Sequence, residues 1–187
     1  GLDNKNPDFS WIINSEDFNV SQTHYQIFVA TDEIFSKNSL VWDSGKVTSD
    51  ESVYVKYTGK ELSYDTQYFW TVKVWTNQSK RFYQSKIMNW KTGLMNADNW
   101  KSNWISVIDR DRDVPQAPYF INDFRLNKKI ISATLYITSR GVYEAHINGV
   151  RVGDSYLTPG WTSYSNRIQY QDYDVKEMLT EVENRIG

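Results

Sequence analysis

Between Gln67 and Thr76 the chain reads QYFWTVKVWT, and Tyr68, Trp70, Val72 and Val74 recur there at every second position. Period two puts these side chains on one face of an extended strand, whereas a helix, with about 3.6 residues per turn, would scatter them. β-Branched and aromatic residues at such positions suit a pleated, half-buried surface. Shorter runs of the same character lie at Phe9–Ile13, His24–Ala30, Leu40–Trp42, Val53–Tyr57 and Ile87–Thr92. In His24–Ala30, Tyr25, Ile27 and Val29 share one face and Gln26 and Phe28 the other. Clusters of Gly, Asn, Asp and Ser separate the runs; in Asp43-Ser44-Gly45 the glycine can take positive φ. Helical signals are limited to one turn expected within Asp32–Asn38 and a short helix expected over Lys176–Glu183. Strands at this spacing predict a small antiparallel sandwich over residues 1–93.

Leu62-x-x-x-Thr66-x-Tyr68 resembles the fibronectin type III pattern in which a Tyr hydroxyl ties down a corner. Residues 94–118 read as a connector that Trp100 and Trp104 pack down. Its charged segment, Asp109 to Pro118, spaces Asp109, Asp111 and Asp113 like a Ca²⁺ loop but lacks the central Gly and terminal Glu of an EF-hand, so a solvated loop is favoured. A second β region, residues 119–187, contains strand signals at Tyr119–Arg125, Ile131–Thr138, Val142–Asn148 and Arg167–Val175, with a hairpin turn at Asn148-Gly149. A jelly roll uses about eight strands, and only about four to six can be placed here, so an incomplete sandwich with open edges is expected. Such edges and an exposed apolar face favour pairing with another copy of the chain. The predicted fold class is all-β: two antiparallel β-sandwich domains, fibronectin type III/Ig-like followed by an incomplete jelly-roll-like sandwich.

Charge argues against two partner classes. Net charge is −2 over 187 residues and the signs are mixed, so there is no basic stripe for nucleic acid. No apolar run reaches the roughly 20 residues of a membrane span. The absence of cysteine removes disulfides, thiolate metal sites and Cys nucleophiles but leaves the compartment open. Only His24 and His146 are present, which poorly supports a Ser-His-Asp triad or a His-rich metal site. Aromatic residues make up 16% of the chain, a fraction that suits both sandwich cores and sugar-binding faces.

Glycoside hydrolysis needs two carboxyl groups across a sugar, about 5 Å apart for retention and up to about 9.5 Å for inversion. Glu144, Asp154, Asp172 and Asp174 are more readily explained as strand, turn or cap residues, and no catalytic residue is assigned. Gly149-Val150-Arg151-Val152-Gly153 has glycines near a turn but no helix after it to cradle a phosphate. The segment Leu157-Thr158-Pro159-Gly160-Trp161-Thr162-Ser163-Tyr164 is richer. It combines a Pro-Gly turn with aromatic rings and hydroxyls, a mixture that suits a sugar or an interdomain joint.

These residues resemble the bacterial α-L-rhamnosidases of glycoside hydrolase family 78. The second half is similar to their N-terminal β-sandwich module through Ala117-Pro118-Tyr119-Phe120, Ala133–Ile137, Gly141–Glu144, Ile147–Asp154, Leu157–Thr162, Arg167–Tyr170 and Tyr173–Val175. The first half resembles the preceding fibronectin-type domain through Pro7–Trp11, Trp42–Val47 and Tyr68–Trp75. In that family such modules precede a further β domain and an (α/α)₆ barrel that carries the acid and base. The resemblance therefore implies a non-catalytic N-terminal piece of a secreted or periplasmic enzyme, with a cytoplasmic location left open. It would be cut at both ends and partnered by the remaining domains. Some relatives bind rhamnose with Ca²⁺ on the second module, which makes Asn148 and Asp154 candidate carbohydrate-binding residues and Asp154 the candidate metal ligand; the Leu157–Tyr164 segment adds Trp161 and Tyr164 as candidate carbohydrate-binding residues. No cofactor is required for this scaffold. A free-standing carbohydrate-binding or adhesion protein and a pair of structural spacers remain the alternatives.

Overall fold

A computed structural model of the chain describes residues 1–107 and 117–187. The Asp109, Asp111 and Asp113 loop lies outside the described residues. The chain divides into two compact units, Gly1–Lys101 and Ser102–Gly187.

The first unit contains β1 (Asp8–Phe9), β2 (Gln22–Ala30), β3 (Leu40–Asp43), β4 (Val47–Thr48), β5 (Val55–Lys56), β6 (Gln67–Thr76), β7 (Ser79–Gln84) and β8 (Met88–Lys91). One sheet runs in the order β3-β2-β6-β7, with β4 added to β2 and β8 to β6, and β1 pairs separately with β5. At its centre β2 and β6 run antiparallel, with Tyr25 opposite Val74, Ile27 opposite Val72 and Val29 opposite Trp70. Those side chains face Phe9, Trp42, Val55, Tyr57, Leu62 and Tyr68 in a single buried cluster. Each fully buried side chain of this kind contributes about 1.5–3 kcal/mol. The rings interlock edge-on, Trp42 against Tyr57 at 5.0 Å and Phe9 against Trp90 at 5.7 Å. A Cβ at Gly59 would lie 2.6 Å from both Trp42 and the Tyr57 ring, so only glycine permits the approach there.

Polar groups close the corner before β6. The Ser63 N–H donates to the Tyr68 hydroxyl at 2.8 Å, the tie expected from the Leu62–Tyr68 pattern. Thr92, with no exposed surface, accepts from the Thr66 N–H at 2.9 Å, and its own hydroxyl donates toward Ser63 O at 2.6 Å. Tyr57 donates to Lys60 O at 2.6 Å.

The second unit contains β9 (Asn122–Arg125), β10 (Thr134–Ile137), β11 (His146–Ile147), β12 (Val150–Arg151), β13 (Gln171–Asp174) and β14 (Glu183–Ile186). Four of these strands form a sheet ordered β12-β11-β14-β9, and β10 pairs with β13. Ala145, Ile147, Val152 and Val175 form the buried centre, with Leu135, Ile137, Tyr143, Tyr173, Leu179 and Ile186 around it. Leu135 lies opposite Tyr173 in the β10–β13 ladder, so Tyr136 and Asp172 occupy the other face. This core is smaller than the first.

Several elements differ from the sequence expectation. Asp32–Asn38 is not a helical turn: the Asp32 carboxylate accepts from the Ile34 N–H at 3.1 Å and from the Ser36 hydroxyl at 3.0 Å, and Phe35 sits at φ 50°. These local bonds compete with helix formation. Over Lys176–Glu183 only Lys176–Met178 turns, as a 3₁₀ segment, and Glu183 already begins β14. The Val53–Tyr57 run shortens to Val55–Lys56, with Tyr54 at φ 56° interrupting it. Trp100 is partly buried, but Trp104 is 60% exposed with the Arg140 guanidinium 5.6 Å from its ring centre.

Thr92→Val should destabilise the first unit by about 1–3 kcal/mol, because it keeps the shape but strands the Thr66 N–H. Urea denaturation followed by tryptophan fluorescence measures this. Burial pushes the Tyr57 phenol up to about 12 from its ordinary 10.0. The neutral phenol's contribution is therefore fully present below pH 10.0 and lost as pH rises toward about 12. Tyr57→Phe should flatten that part of the stability profile.

Candidate functional site

The β11–β12 hairpin begins from an Asn-Gly pair in which both residues need positive φ: Asn148 at 51° and Gly149 at 82°. That is the two-residue turn expected from the sequence, with Ile147 opposite Val150. Asn148 has a second task. Its amide donates to Met178 O at 2.9 Å and to Asn184 Oδ1 at 3.0 Å, and its oxygen accepts from the Arg185 N–H at 2.9 Å. Asn184 is itself buried and accepts from the Thr180 N–H at 2.7 Å. The Asn148 oxygen is thus committed to the fold, and a sugar or cation would have to displace a backbone bond to use it.

After β12 the chain leaves the sheet over Gly153, whose φ is 70° and whose missing Cβ would lie 2.4 Å from the Tyr173 ring. The loop that follows is held at its base. Arg151 donates to Ser155 O at 2.5 Å, stacks 4.5 Å from the Tyr156 ring centre and approaches Glu144 Oε2 at 3.3 Å. Its buried Nε–H is not aligned for a hydrogen bond at that distance, so the pairing with Glu144 is electrostatic. Glu144 also lies 3.5 Å from His146. Thr158 bridges to Tyr143, accepting the Tyr143 N–H at 2.9 Å and donating from its hydroxyl to Tyr143 O at 3.1 Å. Beneath it, Tyr143 donates to Gln171, and Tyr173 donates to the same oxygen at 3.2 Å. Burial raises the Tyr143 phenol well above its ordinary range, so it stays a neutral donor.

The loop presents apolar rings outward. Trp161 is 92% exposed, Tyr156 81% and Leu157 78%, and Leu157 holds φ 56°, a strained position for a residue with a side chain. Tyr164 is partly buried, and its hydroxyl accepts from the Gly141 N–H at 2.8 Å, which pins the far end of the loop. Asp154 is exposed near the start of the loop. Of the four candidates, Asn148 serves the hairpin and Tyr164 the loop anchor, while Asp154 and Trp161 present their side chains to solvent. Arg151 and Tyr156 join them; the sequence signal for that pair was an Arg five residues before a Tyr across a Gly-bearing turn, too common to single out. Ca²⁺ takes about 6–8 oxygen ligands. Among the described residues no three His, Asp or Glu side chains gather as a metal group, leaving Asp154 as the carboxylate this loop offers. Asn148→Gly keeps the turn conformation but removes three hydrogen bonds, and should lower the stability of the second unit by about 1–3 kcal/mol. The change can be read from urea denaturation of a chain in which Trp104 and Trp161 are the tryptophans retained.

Comparison with known proteins places both units. Residues 1–96 match the Rha78A-like N-terminal immunoglobulin domain, and residues 128–187 match the α-L-rhamnosidase N-terminal domain. An α-L-rhamnosidase of Formosa agariphila is 35% identical, over 100% of this chain and 22% of its own length. The solved α-L-rhamnosidase of Dictyoglumus thermophilum is 37% identical with a TM-score of 0.85, covering 100% of this chain and 23% of its own. That of Streptomyces avermitilis complexed with L-rhamnose is 30% identical with a TM-score of 0.55, covering 100% of this chain and 20% of its own. The chain thus spans about a fifth of the length of these relatives. Both units are β modules of the N-terminal kind, and the chain belongs to the α-L-rhamnosidases of glycoside hydrolase family 78.

Proposed function

We propose that this chain forms the non-catalytic N-terminal β modules of an α-L-rhamnosidase that removes terminal rhamnosyl groups from plant polysaccharides or glycosides outside the cytoplasm. One observation carries this reading: the chain aligns from end to end with α-L-rhamnosidases about five times its length, through domains that are N-terminal in kind. The modules act as a scaffold for the catalytic part. Tyr119, Ile121 and Ile131, between 65% and 95% exposed on the second unit, are surfaces that the rest of the enzyme, or a second copy of the chain, would cover.

A carbohydrate-binding role is the finer part of the proposal, supported by the loop from Gly153 to Tyr164. Its Trp161 and Tyr156 rings offer flat apolar faces to a pyranose, with Asp154 as hydroxyl acceptor or Ca²⁺ ligand. The isolated chain should not hydrolyse an aryl α-L-rhamnoside; turnover by it would overturn the scaffold reading. Titration calorimetry with L-rhamnose, with and without Ca²⁺, should give binding that Trp161→Ala weakens about tenfold or more, as loss of a central aromatic anchor does. Silence in both conditions would reduce the second unit to a spacer.

A further inference from the structure

The first unit has a solvent-facing sheet surface that the scaffold role leaves unused. In the β2–β6–β7 register, His24 lies opposite Trp75 and Trp75 opposite Phe82, while Gln26 lies opposite Lys73 and Lys73 opposite Gln84. All of these positions alternate with the buried ones, so they share the outer face. The Lys73 ammonium sits between two rings, 4.9 Å from the Phe28 centre and 4.7 Å from the Phe82 centre. Lys46, just before β4, reaches over Trp75 at 4.4 Å. Trp75 and Phe82 are themselves in contact at 5.7 Å, and Phe82 remains 47% exposed.

Lysine stems often cover apolar surface in this way, so ring contact alone would not indicate a ligand. Charge supplies the independent argument. From Thr66 to Ala97 the chain carries Lys73, Lys80, Arg81, Lys86 and Lys91 and no acidic residue, although the whole chain is net −2. Lys91 is neutralised by Asp65 at 2.5 Å. Among the described residues none of the other four has a carboxylate within ion-pair distance. Asp43, on the same face, accepts from Gln26 at 2.7 Å and from the Gly45 N–H at 2.9 Å; it keeps its charge but, among the described residues, makes no ion pair with Lys46 or Lys73. Fixed ammonium groups beside half-exposed rings, not paired to an acid, attract an anion that also has an apolar face.

We propose that the outer face of β2, β6 and β7 is a docking surface for an anionic glycan. Lys46 and Lys73 would pair with its carboxylate or sulfate groups, and Phe82 and the edge of Trp75 would support a pyranose ring. The choice of a saccharide as the occupant rests on the glycoside-hydrolase reading above; the demand for an anion does not. A failure here leaves the scaffold reading intact, because that reading is tested by turnover and by rhamnose titration at the other unit.

The test uses the whole chain, titrated in Ca²⁺-free buffer with an oligogalacturonate, a dextran sulfate oligomer, neutral dextran and polyglutamate. Binding of either anionic glycan, weakening as salt rises, is expected, and the preferred polymer tells carboxylate from sulfate. The double substitution Lys46→Gln/Lys73→Gln should weaken it about tenfold or more and flatten its salt dependence. Phe82→Ala should weaken it severalfold and leave the salt dependence unchanged. Lys46 and Phe82 are exposed and Lys73 is half-buried, and an unaltered thermal melt verifies that the variants fold. Absence of binding to both anionic glycans would overturn the proposal. So would equal binding of neutral dextran or polyglutamate, or variants that bind like the parent chain.

Discussion

The first unit depends on the β2–β6 ladder. Its register decides which residues enter the core, because a slip of a single position would exchange Tyr25, Ile27, Val29, Val72 and Val74 for Gln26, Phe28, Thr71 and Lys73. The rest of that sheet attaches to this pair, β3 and β4 to the free side of β2 and β7 and β8 end to end along the free side of β6, while β1 and β5 pair with each other. Ser85 marks the break between β7 and β8, donating its N–H to Val72 O at 2.9 Å while its hydroxyl accepts the Val72 N–H at 3.1 Å. One long strand therefore serves two short ones without leaving its own donors unmatched.

The second unit is organised differently. Its strands are short and its buried centre small, and side-chain bonds tie its turns to its strands. Asn148 and Asn184 stitch the β11–β12 turn to β14 and to the Thr180 region. Tyr143, Gln171 and Tyr173 form a half-buried polar cluster under the loop that presents Trp161. Such networks specify one arrangement when fully satisfied and are costly when broken. The loop's exposed rings are thus held out by a base that cannot easily rearrange.

Where burial drives an element, it was readable in the sequence. The run from Gln67 to Thr76 is strand over its whole length, and the Asn148-Gly149 turn and the Tyr68 corner are where their residue types require them. Elements set by local polar bonds or by partners distant in sequence were not. β7, with the sequence SKRFYQ, has no clean alternation because it lies on an exposed edge. Asp32 diverts a helical-looking segment into a side-chain-capped turn. The candidate site was legible in kind but not in role: Asn and Tyr were recognised as polar residues suited to a sugar, yet Asn148 and Tyr164 spend their polar atoms on the fold. Only coordinates reveal which atoms are already committed.

β7 ends its sheet, and among the described residues no strand neighbours the backbone groups on its outer side. An open edge of this kind invites another chain to add itself, the first step of edge-to-edge aggregation. Two β7 edges meeting antiparallel in full overlap would set Arg81 of each copy opposite Phe82 of the other and diagonally across from its Lys80, and like charges about 7–8 Å apart repel. The acid-free stretch that could attract a polyanion therefore also keeps the chain from recruiting itself, and its solubility should be most fragile where salt or a bound polyanion screens those charges.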